Sequence, residues 1–147
     1  MTGPHFRRWQ RPAIHGCGSL LLASGMAWLL LHYGSSADLP APAEAWLMKL
    51  HGLASFAAFF VFGMLAASHL APGWRATARP RGRAQRRLGL MLCLLAALMM
   101  ASACALDYFA PENARPALGI AHSVVGAAMA LVLWLHRRSA RRFHPRT

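Results

Sequence analysis

Acidic residues are nearly absent from this chain. Its 147 residues hold 4 Asp and Glu against 16 Lys and Arg, a formal net charge of +12. Charge of either sign is scarce at 14%, where a soluble domain carries about 25%. The charges are also clustered, and long stretches between them carry none. With 56% hydrophobic residues, this is the composition of a membrane protein and not of a large soluble core. Cysteine is limited to Cys17, Cys93 and Cys104, all within apolar segments, with no CxxC or CxxCH spacing. That excludes a disulfide framework, a zinc ribbon and covalent c-type haem, and leaves the thiols as small polarizable hydrophobes. Period-two alternation is missing as well, so membrane strands are excluded.

Four apolar segments of about 20 residues, the length that crosses the hydrocarbon core, fill most of the chain. They cover about 13–33, 45–70, 88–109 and 116–135. Backbone groups in lipid must be bonded within the segment, so each is expected to be a helix. Pro72-Gly73 is expected to end the second, and Pro116 to sit in the first turn of the fourth. The expectation is one transmembrane domain over 1–147, all-α, an up-down-up-down four-helix bundle, because short connections make successive helices antiparallel neighbours. The first segment resembles a signal sequence in its basic start and in Ala41-Pro42-Ala43. It exceeds the usual apolar length of about 7–15 residues, and is read as a retained helix.

A chain this basic invites nucleic acid as a partner, but its arginines sit at the margins of membrane segments. There they read as topology signals and lipid headgroup contacts. Arg7, Arg8 and Arg11 lie in the N-terminal arm. Arg75, Arg79, Arg81, Arg83, Arg86 and Arg87 lie in a basic loop at 71–87. Arg137, Arg138, Arg141, Arg142 and Arg146 lie in the tail. Only Lys49 and Arg115 fall on the other side, with all four acids, Asp38, Glu44, Asp107 and Glu112. The positive-inside rule then gives both termini and the basic loop a cytoplasmic location, as in a bacterial inner membrane. Tyr33, Trp46, Trp74 and Tyr108 fall near the expected interfaces, as belt aromatics do.

Of 8 histidines, His5 and His144 belong to the basic termini, and six lie in or at the ends of the apolar segments. Ionisable side chains there are costly, so a functional reading is the default. They form two layers: His15, His69 and His136 toward the cytoplasmic side, and His32, His51 and His122 toward the other. The third segment has none. His122 and His136 differ by about 40° around a helix and about 21 Å along it, so they share a face. His51 and His69 are five whole turns apart, about 27 Å, and share one too. His15 and His32 differ by about 100° and do not. Imidazoles paired at two depths suit haem iron, which takes axial ligands on both faces of the porphyrin. The plain reading of His32, His69 and His136 is as headgroup-level polar residues; it does not suit His51 and His122, each followed by three turns of apolar helix. Zinc or copper would need acids or cysteines that are not nearby. The glycines, Gly16, Gly18, Gly25, Gly52, Gly63, Gly119 and Gly126, serve close helix packing or make room for a flat cofactor.

In RPAIHGCGSLLLASGMAWL of the first helix, LMKLHGLASFAAFFVFG of the second and GIAHSVVGAAMALVLWLHRR of the fourth, the chain resembles the four-helix di-haem cytochrome b561-type membrane proteins. The motifs are loose, little more than His and Gly in apolar helices, but the likeness covers nearly the whole chain in architecture. It implies haem b, two more readily than one. His51 and His122 would ligate the outer haem, and His15 and His136 the inner. His69 departs from the family pattern and is the alternative partner of His136. Arg115 and Lys49, the cations nearest the outer haem, would pair with its propionates or stay solvated at the interface.

The function this implies is electron transfer between a quinol or small reductant and a partner. The short outer loops leave no room for an enzymatic domain, so the chain reads as an electron-transfer subunit beside other membrane or periplasmic redox subunits. Two other classes compete. One is a cofactor-free assembly or scaffold subunit of a larger membrane complex. The other is a small transporter relaying protons through histidine, weakened by the lack of any Asp or Glu within the membrane.

Overall fold

The computed structural model describes residues 9–34, 42–78 and 82–143, all helices and turns. The chain forms two units, Met1–Gly73 and Trp74–Thr147. In the first, α1 (Gln10–Gly34) packs against α2 (Pro42–Leu65), which continues through a π turn (Ala66–Leu70) into α3 (Ala71–Ala76). In the second, α4 (Arg83–Cys104) runs into a π turn (Ala105–Phe109) and packs against α5 (Arg115–Phe143). Arg7, Arg8, Asp38, Arg79, Arg81 and Arg146, with His5 and His144, lie outside the described residues.

Four helical stretches among the described residues are long and apolar enough to cross a membrane: Gln10–Gly34, Pro42–Arg75, Arg83–Phe109 and Arg115–Ala140. At 1.5 Å per residue, even the first reaches about 37 Å, more than the hydrocarbon thickness of about 30 Å. Their surfaces are the reverse of a soluble helix. On α2 the large side chains Leu53, Phe56 and Phe60 are 68–76% exposed, while Ala54 and Ala58 are buried. A soluble surface rarely carries apolar patches of this kind, and lipid contact accounts for them. Small residues on the packed face let backbones approach, as membrane helices require.

The helices overrun their expected ends in three places. Pro72-Gly73 does not stop the second span, which stays helical to Ala76. A proline in a helix removes one N–H and crowds the carbonyl four residues earlier. The wider π turn at Ala66–Leu70 lies immediately before it, the kind of local adjustment that lets a helix continue. His69 itself lies in this turn, so its spacing from His51 is not that of five regular α turns. The basic loop is correspondingly short. Arg75 belongs to α3, and Arg83, Arg86 and Arg87 to the start of α4, where Arg86 lies over the Trp74 ring at 3.2 Å from its centroid. The last helix continues through Arg137 and Arg138 to Phe143, well past Leu135. Arginine is a good helix former, and the span's hydrophobic end is not its helical end. At the other turn, Ala110 is extended before Pro111, which ends α4's continuation after an Ala110-to-Ala105 backbone bond of 2.7 Å.

Among the described residues, a His32–Glu44 contact joins the two helices near the loop end of the first hairpin. Glu44, in the first turn of α2, is buried and accepts from His32 Nδ1 at 2.9 Å. A carboxylate is favoured at a helix N-terminus. The His32 ring stacks on Trp28 at 4.5 Å and meets Tyr33 edge-on at 4.9 Å. With the His32 side chain 42% exposed, solvent screens the pair, and its worth is about 1 kcal/mol. Glu44→Ala is expected to lower the thermal midpoint of the detergent-solubilised protein by a few degrees, with Glu44→Gln in between. An unchanged midpoint in Glu44→Ala would contradict this role.

Candidate functional site

Each hairpin presents a histidine from its second helix to a serine on its first. In the first unit, Ser24 of α1 is buried, with its Oγ 2.9 Å from His51 Nδ1. The same Oγ donates to the Leu20 carbonyl at 2.7 Å and lies 3.2 Å from that of Leu21. The Leu21 backbone is a further partner of the His51 ring. The imidazole lies against Gly25, where a Cβ would come within 3.3 Å of Cε1 and 3.6 Å of Nδ1. Gly25 is therefore the space the ring occupies, a closer answer than packing or cofactor room in general.

In the second unit, Ser102 of α4 holds its Oγ 2.7 Å from His122 Nδ1 and 3.1 Å from the Met99 carbonyl. His136, lower on α5, also meets α4, with its Nε2 3.0 Å from Gln85 Nε2. An amide nitrogen can only donate, so His136 Nε2 accepts. Gly89 sits beside this ring, its Cβ position 3.6 Å from Cε1. His122 and His136 thus both face α4, in keeping with their spacing on a regular helix.

The remaining candidates are placed differently. His15 is exposed on α1. His69 lies half-buried in the π turn, with its Nε2 3.8 Å from the Cβ position of Gly73. The neighbouring Ser68 lies 3.4 Å from Gln10 Nε2 of α1 and donates to the Met64 carbonyl at 2.8 Å. Lys49 is exposed, its Nζ 4.8 Å from the Trp46 ring centre. Arg115 is exposed and donates through Nε to the Ala110 carbonyl at 3.3 Å. Within each unit the structure joins His51 to Ser24, His122 to Ser102 and His136 to Gln85. Among the described residues no three His, Cys, Asp or Glu side chains converge as metal ligands.

Sequence reasoning passed over Ser24, Ser102 and Gln85. A signal was present. In an antiparallel hairpin, residues equally far from the connection meet. Ser24 and His51 stand at similar distances from theirs, as do Ser102 and His122. Counting outward from each loop finds the two Ser–His pairs to within a residue, whereas Gln85 lies 24 residues before Phe109 and His136 21 after Arg115, an offset of three. No protein-family model, curated protein or solved structure matches the chain.

The two glycine contacts give a paired test. Alanine in a helix gains about 1 kcal/mol over glycine from backbone entropy. At Gly126 a new methyl meets the flexible end of Met99 at 3.5 Å, an ordinary contact. At Gly25 it meets an imidazole tethered to Ser24. Gly126→Ala is expected to raise the thermal midpoint, and Gly25→Ala to lose that gain or fall below wild type. Equal gains at both positions would show that the His51 ring is free to move.

Proposed function

We propose that this chain is a membrane b-type cytochrome, a four-helix up-down-up-down bundle that passes electrons between a quinol or small reductant and a redox partner. The observation that carries this reading is the repeated arrangement at His51 and His122. Two imidazoles lie within apolar spans, one in each hairpin, each held through Nδ1 by a serine of the adjoining helix. An imidazole anchored at one nitrogen and turned by its neighbours is how proteins prepare a histidine for a metal. The donor set fits a bis-imidazole haem and does not supply the tetrahedral set of zinc.

In this reading His51 and His122 hold haem b toward the outer side of the membrane. A second haem toward the cytoplasmic side would use His136 with His15 or His69. That inner site requires the Gln85 amide to leave His136 Nε2, whereas the outer pair needs no such release from its serines. Haem b supplies a one-electron couple when bound. The chain's residues do the rest: Ser24 and Ser102 hold the rings, Gly25 gives one of them space, and the apolar spans exclude water. Arg115 and Lys49, at the starts of α5 and α2, are the candidate propionate partners. The distribution of arginine supports an N-in, C-in orientation in a bacterial inner membrane, with the basic loop available to anionic lipid or an acidic partner.

One observation favours the cofactor-free scaffold reading. Ser24, Ser102 and Gln85 meet His51, His122 and His136 from within the same hairpin, as a purely structural seam would also have them. Haem content separates the two. Pyridine haemochrome of the purified chain is expected to give two haems, or one if only the outer site fills. His51→Ala and His122→Ala should each remove the same haem. A colourless wild type, or a full complement in either variant, would refute the assignment. Orientation is tested by fusions. A fluorescent protein on the C-terminus should fold and glow, and alkaline phosphatase inserted after Glu112 should be active. The opposite pattern would reverse the topology.

A further inference from the structure

We propose that the arginine-rich end of the second hairpin is a binding site for an acidic phospholipid. Arg86 and Arg138 would take the headgroup phosphate, and the apolar faces of α4 and α5 the acyl chains. This assigns the basic end of the hairpin to lipid rather than to an acidic protein. It rests on the spans crossing a bilayer and is independent of haem.

The packing of α4 on α5 gathers the charge. The 3.0 Å contact between Gln85 and His136 sets the start of one helix against the end of the other. Arg86 and Arg137 directly follow these two residues, with Arg83, Arg87 and Arg138 nearby in the same helices. The segment leading into α4 brings Arg75 to this end. It is closely folded, because a Cβ at Gly82 would come within 2.7 Å of the Thr77 backbone. The hairpin supplies no carboxylate side chain here. No Asp or Glu occurs from 45 to 106 or after Glu112. Asp107 stands about 30 Å along the helix from Arg87, and Glu112 lies beyond it. Arg83, Arg86 and Arg87 also occupy the opening turns of α4, where the macrodipole disfavours cations and no acid is present. An external phosphate offsets both the guanidinium charges and the positive helix end.

Position selects lipid among the anions. Arg86 lies over the Trp74 ring, with Cζ 3.2 Å from its centre, and Arg138 lies over that of Trp134 at 5.2 Å. Both indoles are exposed at the margin of apolar spans, where tryptophan sits at headgroup level. A guanidinium over an indole meets the ring through its face and keeps its in-plane N–H donors for oxygen. The same faces continue into hydrocarbon. On α4, exposed Leu90 and Leu94 follow Arg86 at four-residue steps, one turn apart. On α5, Trp134 and exposed Leu131 lead away from Arg138 in the same manner. A soluble phosphate or an acidic protein would use the cations alone. A phospholipid uses both the cations and the apolar stripes below them.

Native mass spectrometry of the purified full-length chain, delipidated and titrated with phosphatidylglycerol or phosphatidylcholine, tests the site. An arginine near the membrane surface is worth about fivefold in anionic lipid affinity. The first phosphatidylglycerol should therefore bind about 25-fold more tightly than phosphatidylcholine, from two arginines at about fivefold each. Arg86→Gln and Arg138→Gln should each cut that preference about fivefold, in chains that circular dichroism shows to be helical. Arg11→Gln removes the same charge from the first hairpin and should leave the preference nearly unchanged. An equal loss there would show diffuse attraction and overturn the site. Trp74→Leu keeps every charge and should still weaken binding; an unmoved affinity would overturn the guanidinium–indole arrangement. Glycerol 3-phosphate, a headgroup without acyl chains, should not displace the lipid. Displacement would reveal a small-anion site and overturn the lipid assignment. Haem plays no part in the readout. A colourless chain that selects phosphatidylglycerol refutes the cytochrome reading alone, and a haem-bearing chain without selectivity refutes this proposal alone.

Discussion

An imidazole inside a bilayer-spanning helix must find a polar partner, and the organisation of both hairpins follows from that constraint. Leaving such a group unsatisfied in hydrocarbon costs several kcal/mol. Interhelical hydrogen bonds between membrane helices return about 1–2 kcal/mol at most, so the bonds hold the rings in place more than they hold the fold together. The partner in each hairpin comes from the preceding helix, at the level where the two chains pass. That choice links the alignment of the hairpin to the orientation of the ring. A slip of one residue along either helix would part Ser24 from His51 or Ser102 from His122.

The surrounding packing serves the same end. Ala54, Ala58, Gly25, Gly89 and Gly126 lie at the close approach of the helices, while Gly16, Gly18, Gly52, Gly63 and Gly119 face open space and phenylalanine and leucine project outward. Close backbones are what bring short serine side chains within reach of an imidazole. A leucine at Gly25 or Ala54 would separate α1 and α2 by more than a hydroxyl can span. The π turns mark the limits of this regular region. One precedes Pro72 and the other ends near Pro111, so both lie toward span ends, beyond the Ser–His contacts.

The number and approximate position of the spans were legible from apolar length alone, because the bilayer sets that length. The shared face of His122 and His136 was legible because α5 is regular between them. The continuation of the second span past Pro72 was not, because proline reads locally as a stop and the π turn before it leaves no mark in the sequence. The helical extensions through Arg83 to Arg87 and Arg137 to Phe143 were hidden for a related reason. Hydropathy reports where lipid ends, and a basic helix continues past that point. The serines were overlooked because serine in an apolar helix has an ordinary alternative, bonding its own backbone. Only the hairpin alignment shows that Ser24 and Ser102 have a second partner. His32 was read singly as a headgroup-level residue and Glu44 as one of the outer-side acids, and their pairing appears only once the two helices are packed.

The central claim is that imidazoles from both hairpins ligate haem iron. Electron paramagnetic resonance of the oxidised, purified chain tests it most directly. Bis-imidazole ligation predicts a low-spin ferric spectrum that disappears on reduction and loses its outer-haem component in His122→Ala. A high-spin ferric spectrum, or none from a correctly folded chain, would contradict it.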